Sequence, residues 1–296
     1  MTARSPLLRA LAASASPPPA VVDFDRHAFF GANEAARESS PRAPDFFETS
    51  PHVDREVFAP WRLTYYFDLS ARPRAEVVNT VHGRLLALAR RYAFPLPDGL
   101  RAWLSATSWT DESMLQVVLG LDARADPADT RLKYYVILKG DAGRLVAALC
   151  EALAVSPPQR AKLEQTHIVG VDLTRAGVRD VKLYYALDPV RAARTLRDPR
   201  PHARLLQGCR TIVYQHSLIV EHKRSMHFHA RAPEVLLREL ATMRRAAPWS
   251  QRLVTHLKAL NAPGRPPLRP WILAHPWRDG ALDRGRASLY LHLAQE

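Results

Sequence analysis

The stretch RLKYYVILKG (Arg131–Gly140) is followed, forty-nine residues further on, by DVKLYYALDP (Asp180–Pro189). Each carries a lysine and a tyrosine doublet inside a run of β-branched, aromatic and aliphatic residues, the composition of a strand. Side chains alternate across a strand. On the first stretch Leu132, Tyr134, Val136 and Leu138 share one face, opposite Arg131, Lys133, Tyr135, Ile137 and Lys139. On the second, Val181, Leu183, Tyr185 and Leu187 share a face, opposite Asp180, Lys182, Tyr184 and Ala186. The doublet is therefore not copied whole. The repeated element is Lys-x-Tyr on the polar face, Lys133/Tyr135 and Lys182/Tyr184.

The same two-faced pattern recurs. Leu63, Tyr65, Phe67 and Leu69 oppose Arg62, Thr64, Tyr66 and Asp68. Met226, Phe228 and Ala230 oppose Ser225, His227 and His229, and Leu289, Leu291 and Leu293 oppose Ser288, Tyr290 and His292. Alternation predicts strands at 62–69, 115–122, 131–139, 167–172, 180–187, 211–221, 225–230, 271–275 and 287–293. A 3.6-residue period predicts helices at 75–91, 142–154, 189–196, 233–245 and 250–260. Asp188-Pro189 is a helix entry, with the carboxylate as cap and proline in the first turn.

The order is strand, strand, helix, repeated, with turns such as RADPADT, TRAGVR and HKR short enough for antiparallel hairpins. Lys182 to His227 is forty-five residues, close to the forty-nine of the preceding unit. Propeller blades lack helices between them, and parallel folds alternate single strands with helices, so neither fits. The expected class is α+β: a closed antiparallel barrel of about ten strands, ringed by helices that cover the apolar faces. A polar face in bulk water is the alternative arrangement. The absence of Glu and the recurrence of Tyr and His on these faces favour a wide lumen.

The chain has 296 residues and a formal net charge of +13. Only six of its 42 basic residues are lysines, and the arginines are dispersed, which makes a poor phosphate footprint for nucleic acid. No apolar run reaches the length of a membrane span. Residues 1–20 read as a disordered leader, with 21–296 as a single domain. Cys150 and Cys209 have no motif spacing and read as reduced, buried thiols of a cytoplasmic protein. A barrel leaves no free sheet edge, so a monomer is expected. His227 and His229 form an H-x-H pair, but nothing nearby completes a metal set, and no metal held by protein ligands alone is expected.

A lumen ring of Arg62, Lys133 and Lys182 would bind a polyanion, most simply a diphosphate. Tyr66, Tyr135, Tyr184 and Tyr290 would add hydroxyl donors, and their π faces would surround a cation. A diphosphate leaving group beside an aromatic cage is what allylic carbocation chemistry requires. Adjacent-aspartate metal motifs and a Gly-rich phosphate loop are both absent.

Four stretches then resemble a known family. In FETSPHVDREVFAPWRLTYYFDL a glutamate, Glu48, precedes a strand arginine, Arg62, by fourteen residues. GLDARADPADTRLKYYVILKGDAGRLVAAL presents Gly120, Asp122, Arg124, Lys133 and Tyr135. HIVGVDLTRAGVRDVKLYYALDP presents Lys182, and PWILAHPWRDGALDRGRASLYLHL forms the last hairpin. Over residues 45–295 the chain resembles the ABBA, or PT-barrel, prenyltransferases, most closely the cyanobactin-type peptide enzymes. The resemblance implies transfer of a dimethylallyl or longer isoprenyl group from its diphosphate to a nucleophilic side chain of a peptide, macrocyclic or otherwise modified, with Mg²⁺ riding on the diphosphate. It implies Arg62, Lys133, Lys182, Tyr135 and Tyr184 as diphosphate ligands and Glu48 as general base. Tyr66, His227, His229, Tyr290 and His292 would line the lumen or shield the cation. Tyr135 stands where several relatives have His, and His227 with His229 makes the fourth hairpin unusually basic, so the acceptor class stays open. A small-molecule indole or phenol acceptor, or a non-catalytic anion-binding barrel, are the alternatives.

Overall fold

A computed structural model describes residues 5–12, 16–30, 45–54, 57–59, 61–70, 73–106, 112–124, 126–140, 142–243, 249–261 and 267–293. Thirteen strands join one antiparallel sheet: β1 Phe46–Thr49, β2 His52–Asp54, β3 Val57–Ala59, β4 Arg62–Asp68, β5 Met114–Asp122, β6 Arg131–Leu138, β7 Thr166–Thr174, β8 Gly177–Leu187, β9 Cys209–Ser217, β10 Arg224–Ala230, β11 Leu268–Arg278, β12 Ala281–Leu282 and β13 Arg286–Leu293. The order β11-β10-β9-β8-β7-β6-β5-β4-β1-β13 closes on itself through β11–β13, which makes a barrel of ten strands. β2 and β3 extend from β13, and β12 folds back on the end of β11.

The tight turns β5–β6, β7–β8, β9–β10 and β11–β13 all lie at one end, the mouth. The chain leaves the other end, the floor, to run back outside through helices 74–91, 98–105, 143–152, 189–195, 233–243 and 249–260. This arrangement follows from the strand-strand-helix order. Among the described residues no helix is long and apolar enough to cross a membrane.

The predicted apolar faces pack outward against the helices. Leu63, Tyr65, Phe67, Leu132, Tyr134, Val136, Leu183, Met226, Phe228, Leu289 and Leu291 are all at or near zero exposure. The Tyr134 hydroxyl meets His82 Nε2 at 2.7 Å, and His82 Nδ1 lies 2.7 Å from the Leu104 carbonyl. Burial holds His82 down at about 4, so it is neutral and able to accept from the tyrosine.

The expected disordered leader is corrected over its described part. Pro6–Ala12 is a helix whose Leu7, Leu8 and Leu11 are fully buried. Arg9, which breaks the apolar run in the linear sequence, is the solvent side of an amphipathic turn. The Ser5 amide and hydroxyl and the Tyr65 hydroxyl all donate to the buried Asp25 carboxylate, pinning the segment to the outside of β4. Residues 1–4 and 13–15 lie outside the described residues.

Candidate active site

Residues paired across an antiparallel ladder face the same way. Arg62 pairs with Asp122 and Asp122 with Arg131. Thr64 pairs with Gly120, Gly120 with Lys133, and Lys133 with Asp172. Tyr135 pairs with Gly170, Gly170 with Lys182, and Lys182 with Ser217. These registers run the charged faces of neighbouring strands into one lumen. Arg62, Lys133, Lys182, Tyr135, Tyr184, His227 and Tyr290 all line a cavity of about 1000 Å³ that opens at the mouth. Nine Lys or Arg against five Asp or Glu line it, so it carries an excess of positive charge.

The lysines are held by carboxylates that the charge pattern alone did not single out. Lys182 Nζ bonds to Asp172 Oδ2. Lys133 Nζ is 3.8 Å, Arg62 Nε 3.6 Å and an Arg124 terminal nitrogen 2.8 Å from Asp122 Oδ2. A signal for both acids was available: Gly120-Leu121-Asp122 recurs fifty residues later as Gly170-Val171-Asp172. Each glycine sits directly opposite a lysine, and the aspartate two residues toward the mouth takes that lysine diagonally. Gly170 also leaves room for an aromatic ring. A Cβ there would lie 2.2 Å from Tyr135 Cδ1, so the tyrosine ring packs against bare backbone.

Electrostatics follow from burial. Lys133 and Lys182 are each 5 % exposed. Burial first, and then the Arg62 charge, push the Lys133 ammonium well below its ordinary pKa. Burial also lowers Lys182, against the pull of Asp172. Burial opposes ionisation of Asp122 and Asp172, but the cations around each hold both well below the usual carboxylate range. Burial brings His52 and His227 to about 3, so both are neutral near pH 7. The lumen is thus a pre-formed set of buried basic groups with an excess of positive charge. Deeper in the cavity an aromatic belt follows: Tyr135–Tyr184, Tyr184–His227 and His227–Tyr290 ring centroids lie 6.2, 5.6 and 5.6 Å apart.

Four expected site residues lie elsewhere. Glu48, Tyr66, His229 and His292 do not line the cavity; they belong to its floor. Glu48 is 1 % exposed and takes hydrogen bonds from Tyr66 and from Trp271 Nε1, the latter at 3.0 Å. Phe46 packs on Tyr66, Trp271 and His292, and Trp271 packs on His229. Burial lifts the Glu48 carboxyl to about 8, with the Tyr66 and Trp271 donors pulling the other way. The reason is register. Tyr66, His229 and His292 have the predicted lumen parity, and Glu48 joins them by pairing with His292, but all four sit toward the helix-connected end, among the rings of Phe46 and Trp271. Trp271 was not expected there. Alternation groups it with Leu273 outside, but a bulge between Pro270 and Ile272 turns it into the floor.

No family model matches the chain, and no curated protein sequence matches it. Solved structures do. The 5-dimethylallyl tryptophan synthase of Streptomyces coelicolor, in complex with DMASPP and Trp, aligns with a TM-score of 0.63 and 17% identity over 98% of this chain and 93% of that one. The prenyltransferase PriB, in a ternary complex with L-tryptophan and dimethylallyl thiolodiphosphate, gives 0.62 and 14% identity over 98% and 94%. The 6-dimethylallyltryptophan synthase of Micromonospora olivasterospora gives 0.62 and 17% over 98% and 95%. The architecture is that of the ABBA, or PT-barrel, prenyltransferases.

Proposed function

We propose that this chain transfers a dimethylallyl group from its diphosphate to a small aromatic acceptor of the indole or phenol type. One observation carries the reading: Arg62, Lys133 and Lys182, delivered by three different strands, converge in one cavity with the rings of Tyr135, Tyr184 and Tyr290. The cations and the two nearer tyrosine hydroxyls receive the diphosphate. Their fixed charge stabilises the negative charge that develops as the allylic C–O bond breaks. The π faces beneath shield the cation from water. The compared structures hold tryptophan beside a dimethylallyl donor, which supports a small aromatic acceptor over the peptide expected from the sequence resemblance. A peptide acceptor is the second reading, supported by a cavity at the upper end of the range for small ligands. Glu48, the base implied by the resemblance, would have to be released by Tyr66 and Trp271 before an acceptor in the cavity could reach it.

Mg²⁺ does not fit as a protein-held ion. Among the described residues no three His, Cys, Asp or Glu side chains converge to hold one, and Asp122 is already covered by three cations. An Mg²⁺ would enter on the diphosphate, and EDTA is expected to leave turnover within about threefold.

The test is incubation with dimethylallyl diphosphate and a panel of tryptophan, indole, tyrosine and a cyclic peptide, read by mass spectrometry. A gain of one dimethylallyl unit on a small aromatic compound is the expected result. Modification of the peptide alone would favour the second reading, and failure to bind inorganic diphosphate would end both.

A further inference from the structure

The arginines are dispersed along the chain as a whole but dense in one stretch. PVRAARTLRDPRPHARLLQGCR, residues 189–210, holds six arginines and one acid, and no aromatic residue. Residues 143–165, by contrast, set Arg144, Arg160 and Lys162 against Glu151 and Glu164. Arg191, Arg194, Arg197, Arg200, Arg204 and Arg210 are all exposed. The fold lays this stretch on the outside of the barrel. Helix Pro189–Thr195 packs on β8 and β9, and helix Ala203–Gly208 packs on that helix, on β9 and on β10. Ala192, Leu196, Leu205 and Leu206 make the inward contacts, which leaves the arginines on the solvent side. Few carboxylates answer their charge. Arg200 takes Asp198 through two bonds, Nε to Oδ1 at 2.9 Å and Nη2 to Oδ2 at 3.1 Å. Asp188 lies 3.4 Å from Arg191 Nε. Among the described residues no carboxylate pairs with Arg194 or Arg204. Val190 is 62 % exposed beside them. The stretch also reaches the mouth: the Arg197 amide donates to the Gly280 carbonyl at 2.7 Å and Arg197 Nη2 to the Asp279 carbonyl at 3.1 Å, and Asp279 lines the cavity.

We propose that this outer face docks an acidic segment of a partner protein, with Arg194 and Arg204 gripping its carboxylates and Val190 meeting an apolar side chain, and so holds that partner beside the cavity mouth. Charge and composition choose the partner. Arginine forks match carboxylates, and Arg200 on Asp198 shows that pairing already in place. A lipid surface calls for a broad apolar face to insert, and the apolar side of helix 189–195 is turned inward. Nucleic-acid bases call for rings to stack on, and the stretch has none. The assignment is independent of the allyl-transfer reading, because neither Arg194 nor Arg204 lines the cavity.

The test is fluorescence anisotropy with a labelled peptide of Glu-Glu-Val repeats and its Gln-Gln-Val counterpart. The acidic peptide should bind, more weakly as salt is raised, and the Gln peptide should bind at least about tenfold less tightly. Arg194→Glu with Arg204→Glu should weaken binding of the acidic peptide about tenfold or more and leave the affinity for inorganic diphosphate within about threefold. Arg90→Glu with Arg144→Glu makes the same change in net charge at exposed positions of other helices, and should leave peptide binding within about twofold. Equal losses from the two pairs would mean that only the net charge of the chain attracts the peptide, and would overturn the proposal. No binding of the acidic peptide, or tighter binding of phosphatidylserine vesicles or single-stranded RNA, would overturn it as well. A chain that bound the peptide but not diphosphate would keep this docking face and lose the allyl-transfer reading.

Discussion

The lumen has two ends built from the same residue types, and they do different work. At the mouth, Arg62, Lys133 and Lys182 stand over tyrosines around an open cavity. At the floor, Glu48 is 1 % exposed and lies among Tyr66, Phe46, Trp271, His229 and His292, none of which lines that cavity. Both ends are polar positions of two-faced strands. What separates them is the distance from the hairpin turns. Near the turns short acids and glycines leave room between long cations. Near the helix-connected end the rings of Phe46, Tyr66, Trp271, His229 and His292 crowd around Glu48. An ionisable group at the mouth is buried yet faces space that an anion can fill. One at the floor is buried without such space, and its proton balance is set by its neighbours.

The largest effect expected is at the mouth. Lys133→Ala combined with Lys182→Ala removes two charge-assisted contacts, each on the order of 1.5–3 kcal/mol. Diphosphate affinity and kcat/KM should fall roughly 10²–10⁴-fold. Lys133 is one of the charges that hold the Glu48 carboxyl down, so its removal should move the floor's pH window slightly upward without abolishing it. If diphosphate binding survived the double substitution, the functional division between the two ends would be wrong.

The floor has its own signature. Glu48 ionises near 4.5 when unfolded and near 8 when folded. Between those values the folded chain holds the extra proton, so stability falls as pH rises through the window and the loss is complete above about 8. Glu48→Gln has no such proton to lose. Its gain in stability over the unaltered chain should grow from near zero at pH 4.5 to on the order of a few kcal/mol at pH 9. Parallel thermal-unfolding curves for the two proteins across that range would mean that Glu48 is not sealed in.

How legible this was depended on the kind of signal. Strand parity needs only alternation, so the nine strands predicted from it are present, and the Lys-x-Tyr repeat already pointed to a lumen. β1 was missed because Phe46–Thr49 is four residues long and runs straight into Ser50-Pro51. Its lumen glutamate was reached only through resemblance. The helix at Pro6–Ala12 was missed because an arginine in an apolar run reads as a break when helical geometry is ignored. Depth along the barrel was not legible at all. Parity says inward or outward, but only the closed register says mouth or floor, and the bulge at Trp271 changes even the parity.

A smaller effect tests how the mouth is assembled. Gly170→Ala places a methyl where the Tyr135 ring lies. The ring must tilt into the cavity, at a cost of about 1–3 kcal/mol in stability for overpacking. Turnover should drop about tenfold, because the displaced ring is part of the belt around the cation. Gly120→Ala is the milder counterpart, since its Cβ would meet Lys133 Cβ at 3.4 Å, an ordinary contact, and the Leu63 carbonyl at 3.1 Å. Equal losses from the two would show that backbone crowding, rather than the tyrosine ring, is being measured.

The smallest effect is at a single hydrogen bond. Trp271→Phe keeps an aromatic ring in the floor and removes the N–H that Glu48 accepts at 3.0 Å. That bond favours the charged carboxylate, so its loss should move the Glu48 pKa above its present value of about 8. The shift should be about one unit, the worth of one hydrogen bond to a charged group. A ¹³C NMR titration of the Glu48 carboxyl reads it directly. The direction matters more than the size. A downward shift would mean that water enters where the indole was, and that the floor is closed by Trp271 alone. An upward shift means that the ring of phenylalanine still excludes water and that Tyr66 remains as donor. The floor would then be sealed by packing, with the tryptophan N–H trimming the proton affinity of the acid it covers.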